Sequence, residues 1–412
     1  MKKLKVLLIN SVIGGATSTG RHVRDISQIL IEKGVQCWIA YTQHCDEGIP
    51  ENAFRFGSII ENKLHGLVSR VTGKSGYYSS RGTRQLLAKI EELAPNVVHI
   101  HNIHSNDICL PLLFEYLKEK KIPTVINLHD CWFYTARCFH YTRIKCEQWK
   151  TECKNCPQKC RSTGYWFSNQ AKMLFEDKKK WYSDWENLHI VGVSNWIATE
   201  ARRSMLKDKD ISTIYNWIDT EKFSWRTQDQ LRKEYGLESK FVILGVSGYW
   251  NEEKGAHWVF AFSDYLKEDE KLVMIGRVAK DIKEKYSDKI LFLSPIYDRE
   301  KLAQMYAMAD VYINLSEEES FGLTNAEALA CGTPLLLFRS TASTEFVTEG
   351  CGYAAEVGDM LDLRKGLNWI KANSSNELRK KCANFAKSAF NKEKNVGEYY
   401  ALYKRVLREG KE

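Results

Sequence analysis

Short apolar, β-branched runs recur along the chain, each followed by a longer stretch whose apolar positions have helical spacing. The runs are Lys5 to Asn10, Gln36 to Tyr41, Val97 to Asn102, Thr124 to His129 and His189 to Ser194, then Phe241 to Ser247, Lys271 to Ile275, Ile290 to Leu293, Val311 to Leu315 and Thr333 to Phe338. Runs that lack polar alternation are buried on both faces, as parallel strands are when helices cover each side of their sheet. The alternation predicts an α/β fold of two doubly wound, Rossmann-like parallel-sheet domains that meet near Asn216 to Trp225. We expect domains at 1–218 and 219–390. The aromatics Phe385, Phe390, Tyr399, Tyr400 and Tyr403 predict an amphipathic helix near the carboxyl end, with a last segment at 391–412.

The size agrees, because 412 residues exceed what one hydrophobic core usually serves. With 44% hydrophobic and 27% charged residues and 7 prolines, the chain is globular and not disordered. No apolar run approaches the roughly 20 residues of a spanning helix. The basic start, Met1 to Lys5, leads into Val6 to Ile9 and then at once to Asn10 and Ser11, so it reads as a first strand and not a signal peptide, which predicts a cytoplasmic chain. Charge is uneven: residues 1–190 carry 27 Lys+Arg against 18 Asp+Glu. A basic first half suits an anionic membrane surface or a phosphate-bearing acceptor, or is scattered solvated charge, and no nucleic-acid partner is expected. Lys178 to Lys180, after Glu176 and Asp177, reads as a solvated helix face.

In open parallel sheets ligands bind beyond the carboxyl ends of the strands, so the loops there are where chemistry is sought. Val311 to Phe338 reads as strand, acidic loop, helix, glycine stop and strand. Thr324 is placed to cap the helix, and Phe321, Gly322 and Leu323 let backbone N–H groups approach a ligand at its amino end, where the dipole favours a diphosphate. Glu319 precedes the helix and Glu327 lies about a turn into it, so both can accept hydrogen bonds from the hydroxyls of a sugar. Glu327 stands among Ala326, Ala328, Leu329 and Ala330, where an ionised group needs a partner. His129 and Asp130 end the strand from Thr124, and His104 follows another strand end. The loop of Gly14, Gly15 and Gly20 lacks the dinucleotide G-x-G-x-x-G spacing.

The stretch from Glu319 to Glu327 resembles the E-x7-E signature of the retaining glycosyltransferases of family 4, whose GT-B fold consists of two facing Rossmann domains. Gly192 to Trp196, Ile214 to Asp219, Gly245 to Gly255 and Leu128 to Trp132 look like that family's other landmarks in the same order, and the chain is most similar to bacterial exopolysaccharide and capsule glycosyltransferases. The resemblance implies that Glu327 holds the nucleotide ribose, that Glu319 and His129 meet the donor sugar, and that Lys254 neutralises the departing diphosphate. The loop at Gly15 would lie near the donor phosphates, and the last helix would cross back onto the first domain. It also implies a nucleotide-diphosphate sugar donor, a glycan or lipid-linked glycan acceptor and no catalytic metal. One departure stands out. Many relatives have an arginine five positions before the lysine, where this chain has Tyr249, and Arg277 is the candidate substitute. Without one, the alternative is a catalytically silent sugar-nucleotide-binding partner subunit.

Six of the 12 cysteines fall between Cys131 and Cys160. Cys138, Cys146, Cys153 and Cys156, ending in C-x-x-C, can offer four thiolates to a structural zinc that clips a Cys-rich insertion over 131–160. Cys131 and Cys160 leave the ligand choice open, and a disulfide or reduced core thiols are the other readings. The interleaved Trp132, Phe133, Tyr134, Phe139, Tyr141 and Trp149 are read as packing under the loop.

Overall fold

The computed structural model describes residues 3–14, 17–44, 48–159, 163–226 and 229–409. They form two compact units, one of residues 1–214 with 393–412 and the other of residues 215–392.

The first unit is built on a parallel sheet of seven strands: β1 (Lys5–Ile9), β2 (Gln36–Tyr41), β3 (Ala53–Arg55), β4 (Val97–Ile100), β5 (Thr124–Leu128), β6 (Leu188–Gly192) and β7 (Asp210–Thr213), in the order β3-β2-β1-β4-β5-β6-β7. Val6, Leu7, Leu8 and Ile9 of β1 are all at 0% exposure, which explains the unbroken apolar run: helices cover both faces, and each such side chain contributes about 1.5–3 kcal/mol by leaving water. The helix Ser18–Glu32 shows how the pattern docks. Thr17 caps it by accepting from Gly20 N–H, and Val23, Ile26 and Leu30 bury one stripe against the sheet.

The second unit repeats the plan with six parallel strands: β8 (Phe241–Tyr249), β9 (Glu270–Arg277), β10 (Ile290–Leu293), β11 (Val311–Asn314), β12 (Leu335–Phe338) and β13 (Gly352–Ala355), ordered β10-β9-β8-β11-β12-β13. Its core joins Ile243, Leu272, Met274, Ile313 and Leu336 from the strands to Val259, Phe262, Leu363 and Leu367 from the covering helices. Each sheet reverses direction beside its first strand, between β1 and β4 in one unit and between β8 and β11 in the other. Those reversals are where such folds open a crevice at the strands' carboxyl ends.

The last helix, Lys392–Glu409, belongs to the first unit. Val396, Tyr399, Leu402, Tyr403 and Val406 are buried. The Tyr403 hydroxyl lies 2.7 Å from His99 Nδ1, and Tyr399 donates to Asn127 Oδ1 at 2.6 Å. One sequence expectation is overturned. Lys178 is buried, not solvated: its ammonium donates to the carbonyls of Trp132 (2.5 Å) and Thr135 (3.1 Å) and lies 3.8 Å from the centre of the Trp132 ring. The loop after β5 folds back over the helix Ala171–Ser183 and offers it those carbonyls, which a linear reading could not show.

Candidate active site

Two loops leave the strands that flank the reversal in the second sheet, and they carry Lys254 and Glu319. Gly255 has φ 65°, and a Cβ there would stand 2.0 Å from the Leu315 carbonyl oxygen, so only glycine lets the turn after β8 close on the end of β11. Ser316 Oγ donates to the Glu253 carbonyl at 3.1 Å and fastens the same approach. Lys254 Nζ consequently donates to Glu319 Oε1 at 3.0 Å, and the carboxylate raises the pKa of the ammonium. Glu319 is itself strapped from behind. Its N–H donates to Thr341 Oγ1 at 2.9 Å and its carbonyl accepts from Ala342 N–H at 3.2 Å. Thr341 is at φ 46°, a conformation a β-branched residue rarely adopts, and strain of this kind clusters at functional sites.

The helix after this loop runs Leu323–Ala330. Thr324 does not cap it but lies inside its first turn; the cap position is Gly322, at φ 97°, with no side-chain cap bond. The reason lies in Phe321, whose side chain is core, with its ring 5.2 Å from that of Phe346 and 5.3 Å from that of Phe390. Anchored there, the chain must turn sharply at residue 322. A helix start without a capping side chain presents first-turn N–H groups to an anion.

Glu327 is 7% exposed. It accepts from the Tyr306 hydroxyl at 3.3 Å, and Arg299 Nη2 stands 3.8 Å away, both from the helix Arg299–Met308. Tyr312 on β11 feels both Glu319 and Glu327: burial, and then the two carboxylates, push its pKa up. Tyr306, Arg299, Tyr312 and Thr341 had no local sequence signal, since they reach the site from other elements. Arg277 is exposed at the end of β9, and the β8–β9 register pairs it with Tyr249. A cation therefore stands next to the position where arginine is missing, donating to the Tyr297 hydroxyl at 3.2 Å.

In the first unit, His129 leaves the end of β5. Its Nε2 lies 3.0 Å from Asn127 Nδ2 and 3.0 Å from His101 Nδ1. Because Tyr399 donates to Asn127 Oδ1, the amide turns its NH2 to His129, whose Nε2 must accept, and so the ring is neutral with its proton on Nδ1. Burial, then the neighbouring His101 and His22, hold its pKa well below the ordinary value. His101, which carried no expectation, is thus part of this cluster. His104 pairs with Asp130 at 2.9 Å; burial opposes ionisation of Asp130, but the histidine outweighs it and keeps the carboxyl below its usual range. Gly15 lies outside the described residues.

Cys138, Cys146, Cys153 and Cys156 line one small enclosed space of about 20 Å³, with Tyr141 and Trp149 beside them. Four thiolates are a donor set that zinc prefers. Among the described residues, no three His, Cys, Asp or Glu side chains stand at metal-ligand spacing. Trp132, Phe133, Tyr134, Tyr141 and Trp149 pack beneath this loop, each no more than 3% exposed.

Two Rossmann-like units with a lysine–carboxylate pair and an open helix start at a strand reversal define a protein of the GT-B class. Sucrose-phosphate synthase from Thermosynechococcus elongatus has this fold, with a TM-score of 0.72 at 16% identity over 99% of this chain and 100% of that one. So does Anabaena HepE in complex with UDP, with a TM-score of 0.67 at 14% identity over 98% and 100%. The model for glycosyltransferase family 4 matches residues 19–222, and the model for glycosyl transferases group 1 matches 227–389. Side by side over most of the chain, the two place it among the family 4-type glycosyltransferases. N-acetyl-alpha-D-glucosaminyl L-malate synthase of Bacillus anthracis is 32% identical over 236 residues, which are 54% of this chain and 61% of that protein. The chain thus spans about three fifths of the length of this curated relative. Among the described residues, no helix is long and apolar enough to cross a membrane.

Proposed function

We propose that the protein is a retaining glycosyltransferase that moves a sugar from a nucleoside-diphosphate sugar to a lipid-linked polysaccharide acceptor, in exopolysaccharide or capsule synthesis. The observation that carries the reading is the Lys254–Glu319 pair beside the uncapped start of the helix Leu323–Ala330.

Breaking the bond from the anomeric carbon to the diphosphate leaves negative charge on the phosphate oxygen. In this reading Lys254 turns from Glu319 to that oxygen, the first-turn N–H groups of the helix share the charge, and Arg277 supplies the second cation. The electrostatics needs no catalytic metal. Glu319, relieved of its lysine, accepts from a hydroxyl of the donor sugar, and Glu327 accepts from the ribose. The acceptor hydroxyl attacks from the leaving-group face and its proton passes to the departing diphosphate, so retention requires no protein nucleophile. His129, with its proton on Nδ1, donates to the sugar. We further infer that the four cysteines take a structural zinc: four thiolates fill its coordination and leave no position for substrate.

Glu327→Ala is expected to abolish both thermal stabilisation by nucleotide sugars, which follows binding to the folded state by mass action, and turnover. Near-normal kinetics in that variant would reject the assignment. Tyr249 favours a second reading, a silent partner subunit. It prevails if the protein is stabilised by a sugar nucleotide yet neither transfers nor slowly hydrolyses it.

A further inference from the structure

The helix Ile59–Thr72 is built inside out. Its buried positions are polar, namely Asn62, His65 and Ser69, while Ile59, Ile60, Leu64, Leu67 and Val71 are exposed, Ile60 by 81%. A helix on the surface of a water-soluble domain turns its apolar stripe to the core, and here two of the three inward side chains have polar partners instead: His65 Nδ1 meets Ser79 Oγ at 2.8 Å and Ser69 Oγ donates to the Lys74 carbonyl at 3.2 Å. The outward residues 60, 64, 67 and 71 follow one another at helical spacing down a single stripe.

A second segment extends the stripe. Trp166 N–H donates to the Arg70 carbonyl at 2.7 Å, and Gly73, at φ 75°, admits the Ser168 carbonyl oxygen to 2.0 Å from where a Cβ would be. The loop is therefore seated on the carboxyl end of the helix, and it presents Trp166 at 48% and Phe167 at 80% exposure. Lys63 and Arg70 are exposed on the same side of the helix, while Glu61, its one carboxylate, is turned inward to the backbone N–H groups of Arg81 and Gly82. Beside the helix runs a groove of about 540 Å³, lined by Arg55, Lys63 and Arg70, which opens next to Thr42 and Asn106, in loops that follow β2 and β4.

We propose that the helix Ile59–Thr72 with the Trp166–Phe167 tip is a docking surface for an anionic lipid bilayer. The aliphatic stripe and the two aromatics enter the headgroup–acyl boundary, and Lys63 and Arg70 meet the lipid phosphates. Charge complementarity selects this occupant: among the described residues, the helix and the tip combine apolar side chains with cations, and the helix's one carboxylate, Glu61, is held by backbone N–H groups, which suits negative headgroups. The inference supports the lipid-linked acceptor in the reading above, because the groove would lie at the membrane surface, but it does not depend on the donor chemistry.

The test is co-sedimentation of the full chain with phosphatidylcholine vesicles with and without phosphatidylglycerol. The native protein is expected to bind the anionic vesicles and to be released as salt rises. Leu64→Glu with Leu67→Glu should lower the bound fraction at least about tenfold, and Phe167→Ala should lower it less. Lys63→Glu with Arg70→Glu should remove the preference for anionic lipid. All of these side chains are exposed, and thermal stabilisation by a sugar nucleotide, measured on each variant, separates a lost surface from a lost fold or a wrong donor reading. Native protein that stays in the supernatant, or a Leu64→Glu, Leu67→Glu variant that binds as well as the native protein, overturns the proposal. So does a native oligomer that this variant dissolves, which would assign the face to a second copy of the chain.

Discussion

Lys254 and Glu319 lie 65 positions apart, and two small residues bring them together: Gly255, which no side chain can replace without meeting Leu315, and Ser316, which ties the loops. The pairing keeps Lys254 charged and poised to exchange one anion for another. Lys254→Ala is expected to lower kcat about 10²- to 10³-fold while the fold is kept, as measured by turnover beside a thermal melt. Arg277→Ala should lower kcat as well. If it leaves turnover unchanged while Lys254→Ala does not, the lysine works without a second cation and the Tyr249 position is a true gap in the clamp. The sequence made Lys254, Glu319 and Glu327 legible because they fall in a recognisable signature. It was silent on Thr341, Tyr306 and Arg299, whose spacing carries no mark of the contact.

At the scale of elements, the loop after β5 and the final helix decide how the first unit's strand ends are held. Tyr399 orients Asn127, which fixes the tautomer of His129, so a helix from the far end of the chain decides which nitrogen of that ring carries the proton. Tyr399→Phe leaves Asn127 Oδ1 without this partner and should cost about 1–3 kcal/mol in urea unfolding. Turnover should also fall if His129 serves the donor. The cysteine loop makes a different prediction. The protein should purify with about one zinc per chain, and Cys153→Ser with Cys156→Ser should lose both the metal and several degrees of Tm. An elemental analysis without zinc, on protein kept reduced and free of chelator, would remove the metal.

For the molecule as a whole, burial of imidazoles couples stability to pH. His65 is pushed down to about 4 and His99 to about 3, mainly by burial, and His101 and His129 lie well below the ordinary 6.5. An unfolded chain takes up protons near pH 6.5 that the folded chain refuses, so this contribution is complete above pH 6.5 and is lost as pH falls toward 4. Each such histidine removes about 1.4 kcal/mol per pH unit within that window. Asp130, held below 3.8, adds its own loss only at lower pH. The urea midpoint should therefore fall steeply from pH 7 to pH 5, and a flat profile would mean that these rings reach water.

The apolar runs alone determined the two parallel-sheet units, because strands buried on both faces write their burial into consecutive residues. The strands of the two large sheets that they missed, Ala53–Arg55, Asp210–Thr213 and Gly352–Ala355, are all sheet edges, where burial is partial and the pattern fades, and the two-residue strands Val12–Ile13 and Gln43–His44, which pair only with each other, are too short to leave a pattern. Tertiary structure alone decided that Lys178 is buried, that Phe321 rather than Thr324 shapes the helix start, and that the helix Ile59–Thr72 turns its apolar stripe outward. An amphipathic pattern specifies two faces but not which one meets the core. That choice depends on whether the polar face finds hydrogen-bond partners inside, and those partners come from residues distant in sequence.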